Sequence, residues 1–311
     1  MRKTLLWIGG IFLFILVGCG LIFALGIGMD GFETPVQGDA VALVRVEGTI
    51  LSGSGDNANP FTNTGGAFST TIIDQLKKAD ESEQVKAVVL VVDTPGGSVY
   101  ASDEIALQVG EMSKPILSAM GSIAASGGYY VSAPTDEIWA SPHTLTCSIG
   151  VIIQLLNYDD LAAEYGVDSI VYKSGTFKDM GNPFEDATEA EEAIWRSMID
   201  EAYDAFVAIV AEGRGLKDGT VREFADGRIC TGKQAMELNL VDNLGYLPDV
   251  IKRAGELGGI EGDPPTIEYN QEPSFLELLT SFSHRPSLIG EIKELLQLQS
   301  GPMLMYLYSG R

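Results

Sequence analysis

Histidine occurs twice and cysteine three times in this 311-residue chain, and 20 basic residues face 43 acidic ones. Each scarcity removes a class of chemistry. So few cysteines and histidines give no cluster with metal-ligand spacing, and no glycine-rich loop has the pattern of a phosphate cradle. No metal or cofactor is therefore expected. A formal charge of −23 disfavours nucleic acid and anionic membrane surfaces as partners. Most acidic side chains are read as solvated faces, as in 186–192. Three cysteines, with Cys19 inside an apolar run, do not make a disulfide framework, and Cys147 and Cys230 are expected to stay unpaired.

The most informative segment is Met120-Gly121-Ser122-Ile123-Ala124-Ala125-Ser126-Gly127-Gly128-Tyr129-Tyr130. The apolar run 114–120 before it predicts a buried strand, and the residues after Ser122 predict a helix. Ser126 is flanked by residues too small to block approach, and the Gly127 N–H would lie where an oxyanion forms. A second strand is predicted over Lys86–Asp93, where a β-branched run suits burial on both faces. It ends in Thr94-Pro95-Gly96-Gly97-Ser98, a tight turn leading into a helix over Val99–Met112. Two strand-to-helix junctions, each supplying an N–H, suit a two-donor oxyanion hole built from Gly97 and Gly127. The bland alternative is close packing of small residues against a sheet.

A serine nucleophile needs a base, and histidine hardly offers one. His143 sits in the turn-like Ser141-Pro142-His143-Thr144, and His284 in a polar stretch. Spacing leaves a Ser–His–Asp arrangement through His143 open, because triads assemble in space. Lys178, in the loop 173–181 after a predicted strand over Asp168–Tyr172, is the other candidate. A lysine takes a proton from serine only when burial favours its uncharged amine. Asp179 must then point away from it.

The residues 121–130 resemble the serine motif of the signal peptide peptidase A family, membrane-bound Ser/Lys peptidases with a fold related to crotonases and the Clp protease. Asp93–Ser98 resembles that family's oxyanion segment, Thr144–Val151 its Thr-Gly-Ser-Ile-Gly segment, and Lys173–Asp179 its lysine loop. Ala225–Arg228 with Gly232–Ala235 resembles a late landmark. The motifs run in family order from about Val41 to Val250. The resemblance implies an α/β fold, a crotonase/Clp-like repeated β-β-α superhelix, with a Ser/Lys peptidase domain over 41–258. It implies Ser126 as nucleophile, Lys178 as general base, Ser148 as the residue that orients the amine, and Gly97 and Gly127 as oxyanion donors. Cys147 stands where the family usually has glycine. If φ is positive there, the cysteine is strained and the position of Ser148 turns on it. Cys147 as an alternative nucleophile lacks a histidine partner.

Long members of that family carry two tandem copies, with lysine from one half and serine from the other. This chain has one copy with both residues, which implies a ring-like homo-oligomer whose sites are shared between protomers. The implied substrates are remnant signal peptides and other extended apolar peptides from membranes. A general membrane-protein quality-control protease and a non-catalytic membrane scaffold are the alternatives. A crotonase-type acyl-thioester enzyme would lack coenzyme A outside the cell.

Arg2 and Lys3 precede an uncharged run, Leu5–Gly28, and residues 1–4 are read as cytoplasmic. As a helix the run rises about 36 Å, enough for a hydrocarbon core of roughly 30 Å. The charge bias puts the N-terminus in the cytoplasm and the body outside, on a linker over 29–40. A cleaved signal peptide and a lipoprotein acylated at Cys19 are the rivals. Residues 52–69 are expected to form a mobile loop near the site mouth, and Thr188–Gly213 the longest helix. In the extension 259–311, a helix is expected over 289–299. The apolar tail Met303-Leu304-Met305-Tyr306-Leu307-Tyr308 resembles a substrate and is hypothesised to lie in a substrate groove, or else to pack on the oligomer surface.

Overall fold

The computed structural model describes residues 38–54, 66–269 and 304–308. From Asp39 onward they belong to one compact unit. The first strands are β1 (Ala40–Glu47), β2 (Thr49–Leu51) and β3 (Gly66–Phe68), followed by α1 (Ser69–Glu81). Then come β4 (Val85–Thr94), β5 (Gly96–Ser98), α2 (Val99–Gly110), β6 (Ile116–Ala124) and α3 (Gly127–Ser132). The middle holds β7 (Glu137–Ala140), β8 (Leu145–Cys147), α4 (Asp159–Glu164), α5 (Glu189–Arg214) and α6 (Asp218–Arg222). The last elements are β9 (Ile229–Thr231), α7 (Gly232–Glu237), β10 (Asn243–Leu244), α8 (Leu247–Leu257), β11 (Thr266–Glu268) and β12 (Met305–Leu307). This is an α/β fold. Among the described residues no helix is long and apolar enough to cross a membrane. The predicted anchor, 5–28, and the predicted helix over 289–299 lie outside the described residues, as does His284.

The main sheet runs β10-β7-β6-β4-β1-β11, every neighbour parallel. Its central strands are buried on both faces, and the period of two sorts their side chains. Val41 and Leu43, Ala87, Val89 and Val91, and Leu117 and Ala119 form one layer with Val250 and Ala254 of α8. The intervening Val44, Val88, Leu90, Val92 and Met120 face the larger core with α1, α2 and α3. A β-branched strand with helices on both faces is what the run over Lys86–Asp93 specifies. A second sheet, β12-β5-β2-β3, stands at the C-terminal ends of β1 and β4, where the chain leaves the main sheet.

Several local expectations change. The segment Gly96–Ser98 is not a bare turn but a strand, because β2 and β12 supply ladder partners on its two edges. β6 extends through Ala124, so the helix starts at Gly127 rather than after Ser122. Gly66–Phe68, expected in a loop, pairs with β2, and Ser69 already opens α1. Asp168–Tyr172 forms no strand and is exposed throughout. α5 confirms the longest predicted helix, with a Thr188–Glu191 capping box at its start and Gly215 at φ 62° after its end. Only its C-terminal half, through Ala202, Phe206, Val207, Val210 and Ala211, is buried.

Arg253 of α8 forks onto Glu137 of β7, with Nη2 and Nε at 2.7 and 2.9 Å from Oε1. These bonds hold the Glu137 carboxyl below the usual carboxylate range. A depressed folded value stabilises the fold above the unfolded value, and the stabilisation is lost as pH falls through the folded one. Arg253→Ala is expected to lower the midpoint of thermal unfolding at pH 7. Thermal denaturation should show the gap to wild type closing as pH drops below the carboxylate range.

Candidate active site

Ser126 sits at the junction of β6 and α3, and the chain is distorted to put it there. Between the paired residues Val92↔Met120 and Thr94↔Ala124, β6 carries two residues more than β4. Asp93 clamps the extra length: its Oδ1 accepts from the Ile123 N–H at 3.0 Å, and Gly121 packs against its side chain. The Thr94 carbonyl takes the Ala125 N–H at 3.1 Å. Ser126 then adopts φ 53°, ψ −114°, a conformation that costs a non-glycine residue on the order of 1–3 kcal/mol. Its hydroxyl does not cap the helix it opens, which leaves that oxygen available for other work. The residue is 1% exposed.

Beside Ser126 lies a groove occupied by the chain itself. β12 runs antiparallel to β5, with Tyr306 opposite Gly97. Val99 N–H donates to the Leu304 carbonyl and Tyr308 N–H to the Pro95 carbonyl, at 3.2 and 2.8 Å. Alternation along an antiparallel ladder makes Gly97 and Tyr306 the hydrogen-bonded pair between them. On the other edge, Met305 exchanges both backbone bonds with Ile152 at 3.1 Å. The tail is thus held as an extended strand between two segments of the body.

The Tyr306 carbonyl oxygen reaches a pocket that only glycines allow. Gly96 has φ 99°, and a Cβ there would lie 2.0 Å from that oxygen and 2.7 Å from the Gly127 nitrogen. A Cβ on Gly127 would sit 3.1 Å from the same oxygen and 2.7 Å from Ser102 Oγ. Gly97, paired with Tyr306 in the ladder, and Gly127 thus flank one carbonyl oxygen. The Tyr306 ring is fully buried, stacked on Tyr130 at 4.8 Å and tilted against Phe206 at 4.6 Å. Its hydroxyl donates to the Ala202 carbonyl at 2.7 Å, and burial pushes its phenol well above the ordinary range. Tyr130 in turn donates to Asp103 at 2.7 Å. Phe206 was legible only as part of an apolar helix stripe, and nothing in the sequence signalled that Tyr130 lines the ring's pocket.

Ser148 lies in a second distorted turn. Cys147 and Ser148 both have positive φ, 65° and 53°. The Cys147 carbonyl accepts the Ser126 N–H at 2.9 Å, and Ser148 N–H donates to the Arg228 carbonyl at 2.8 Å. Ser148 lines a cleft with Gly150, Val151, Tyr203, Leu307 and Tyr308, on the tail's side past Tyr306. Against expectation, Cys147 and Cys230 form a disulfide, because β8 pairs with β9 and brings their Cα atoms to 5.5 Å. Cys147 is therefore no free nucleophile.

Lys178 is not gathered into this cluster. It lies on an exposed stretch, and its side chain makes no hydrogen bond or ion pair among the described residues. Asp179 does turn away from it, toward Lys173 Nζ at 2.7 Å, and that amine holds the Asp179 carboxyl below its usual range. His143 is exposed on the β7–β8 turn, its N–H bonded to Ser141 Oγ. Around Lys178 the segment exposes Leu155, Leu161, Tyr165, Ile170, Tyr172 and Phe177.

A model of peptidase family S49 matches residues 109–261. A protein of Enterococcus faecium named as a signal peptide peptidase SppA is 46% identical over 64% of this chain and 58% of its own length. A protease of Methanocaldococcus jannaschii is 33% identical over 83% of this chain and 82% of its own. Protease 4 of Haemophilus influenzae is 32% identical, and the match covers 75% of this chain but 37% of that longer protein.

If the Tyr306 ring is what docks the tail, Tyr306→Ala should release β12. Limited proteolysis is expected to remove the C-terminus of that variant at least about tenfold faster, as loss of a well-buried aromatic contact predicts. Tyr306→Phe, which keeps the ring and loses the hydroxyl's hydrogen bonds, should fall between the two.

Proposed function

Since the chain belongs to peptidase family S49, the signal peptide peptidase A family, and is a serine peptidase, we propose that Ser126 is its nucleophile and that it cuts extended apolar peptides through an acyl-enzyme. The pose of β12 carries this reading. A peptide bound as Leu304–Tyr308 is bound would have backbone pairing on both edges, its residue carbonyl between Gly97 and Gly127, and its side chain in the Tyr130–Phe206 pocket. Ser126 Oγ attacks that carbonyl carbon and the Gly97 and Gly127 N–H groups hold the oxyanion. The proton from Ser126 passes to the neutral amine of Lys178 and then to the leaving amine. Water hydrolyses the ester, with the same amine as base.

An exposed lysine cannot stay neutral, so Lys178 must be covered when it acts. The apolar side chains around it supply a face for a second copy of this chain, and Ser148 lines an open cleft into which a neighbour's amine fits. The site is then shared between protomers of a ring-like homo-oligomer, with Ser148 orienting the incoming amine. The succession β4-β5-α2, with a short second sheet at the strand ends, supports the crotonase/Clp-like superhelix. The apolar run 5–28 anchors the chain in the membrane with its body outside, where remnant signal peptides are the substrates. A quality-control protease would use the same chemistry on longer membrane segments. A non-catalytic scaffold has no use for left-handed backbone at Ser126 and Ser148, which argues against it.

Full-length protein in detergent should hydrolyse a fluorogenic apolar peptide, and Ser126→Ala and Lys178→Ala should each lower kcat/KM by roughly 10³-fold or more. Mixing the two inactive variants is expected to restore activity through heteromeric sites. His143→Ala should stay within about twofold of wild type. Activity surviving Lys178→Ala would remove the Ser/Lys reading, and no recovery on mixing would place both residues in one protomer.

A further inference from the structure

The turn that carries Ser148 is held by very little secondary structure. β8 and β9 have three residues each, and their ladder spans only Leu145↔Thr231, Thr146↔Cys230 and Cys147↔Ile229. At the end of this ladder two consecutive non-glycine residues, Cys147 and Ser148, enter the left-handed region. That turn is not peripheral to the nucleophile. Its carbonyl at Cys147 accepts the N–H of Ser126, whose own backbone is left-handed, so a shift in one is transmitted to the other through one 2.9 Å bond. The disulfide joins Cys147 to Cys230, 83 residues away, and both cysteines are buried at 4% and 7% exposure.

We propose that the Cys147–Cys230 disulfide is a positioning element for Ser126 and Ser148. It holds the Cys147–Ser148 turn in a conformation that an unbonded cysteine leaves, so hydrolysis depends on the redox state of this pair. This rests on Ser126 being the nucleophile. A dithiol outside the membrane would switch the site off: two electrons and two protons convert the S–S bond to two thiols, and the dithiol becomes a disulfide. Without the cross-link Cys147 relaxes toward negative φ, its carbonyl swings from the Ser126 N–H, and Ser148 leaves the cleft. Glycine at 147 needs no cross-link, since it adopts φ 65° freely.

The test uses full-length protein in detergent, a fluorogenic apolar peptide, and tris(2-carboxyethyl)phosphine as reductant. Reduction is expected to lower kcat by about tenfold or more with KM little changed, as for loss of an interaction that aligns the reacting groups. Cys230→Ala should match reduced wild type and ignore reductant. The double variant Cys147→Gly/Cys230→Ala should regain most of the lost kcat while its Tm stays as low as that of Cys230→Ala. That recovery without recovered stability is what a merely structural cross-link would not give. The proposal is overturned if reduction leaves kcat within twofold, if the glycine double variant is no better than Cys230→Ala, or if alkylation without reductant finds both thiols free. Ser126→Ala in the oxidised state runs alongside. If it is active, the nucleophile assignment has failed; if it is inactive and reduction has no effect, only the disulfide proposal has.

Discussion

The backbone of Gly96 approaches that of Gly127 so closely that no side chain fits at either position, and the rest of the site depends on this approach. The two glycines follow the ends of neighbouring parallel strands, Gly96 just past β4 and Gly127 just past β6. They approach because Asp93 and Thr94 fold surplus length of β6 back onto β4. The same fold-back forces Ser126 into a conformation that serine avoids. A sheet with hydrophobic layers on both faces is stiff enough to hold that strain, and a loop is not. The large core behind β4 and β6 is therefore part of the site's chemistry.

Legibility in the chain tracks the range of the forces involved. The strand over Lys86–Asp93, the serine at a strand-to-helix junction and the long helix after Thr188 were legible, because β-branched runs, small residues and capping residues act locally. The strand at Gly96–Ser98 was not: three residues with two glycines become a strand only when β2 and β12 pair with them from both sides. The error at Asp168–Tyr172 has the opposite cause. A β-prone run without an edge to join stays irregular, and its apolar side chains remain in water. The disulfide was missed because cysteines 83 residues apart meet only through the β8–β9 ladder. Of the candidate site residues, Ser126, Ser148, Gly97 and Gly127 are together around the tail, and Lys178 is not.

The chain divides its labour between a rigid half and an adaptable one. The proposed oxyanion donors and nucleophile lie at the glycine-laden junctions after β4 and β6, where an added Cβ collides with its neighbours. The ring pocket comes from Tyr130, Phe206 and a helix carbonyl, where a change of side-chain size alters only the space offered. The proposed chemistry and the side-chain preference can therefore change separately.

The tail in the groove has a kinetic meaning. β12 and β5 belong to one polypeptide, so diluting the protein does not empty the groove, whereas diluting a foreign peptide does. If peptides bind where β12 lies, as proposed, they bind only to the fraction of molecules with the tail out, and their apparent affinity is weakened in proportion to that fraction. Sparse peptides would then be bound in proportion to that open fraction, while abundant ones displace the strand. The tether sets how much peptide the groove demands.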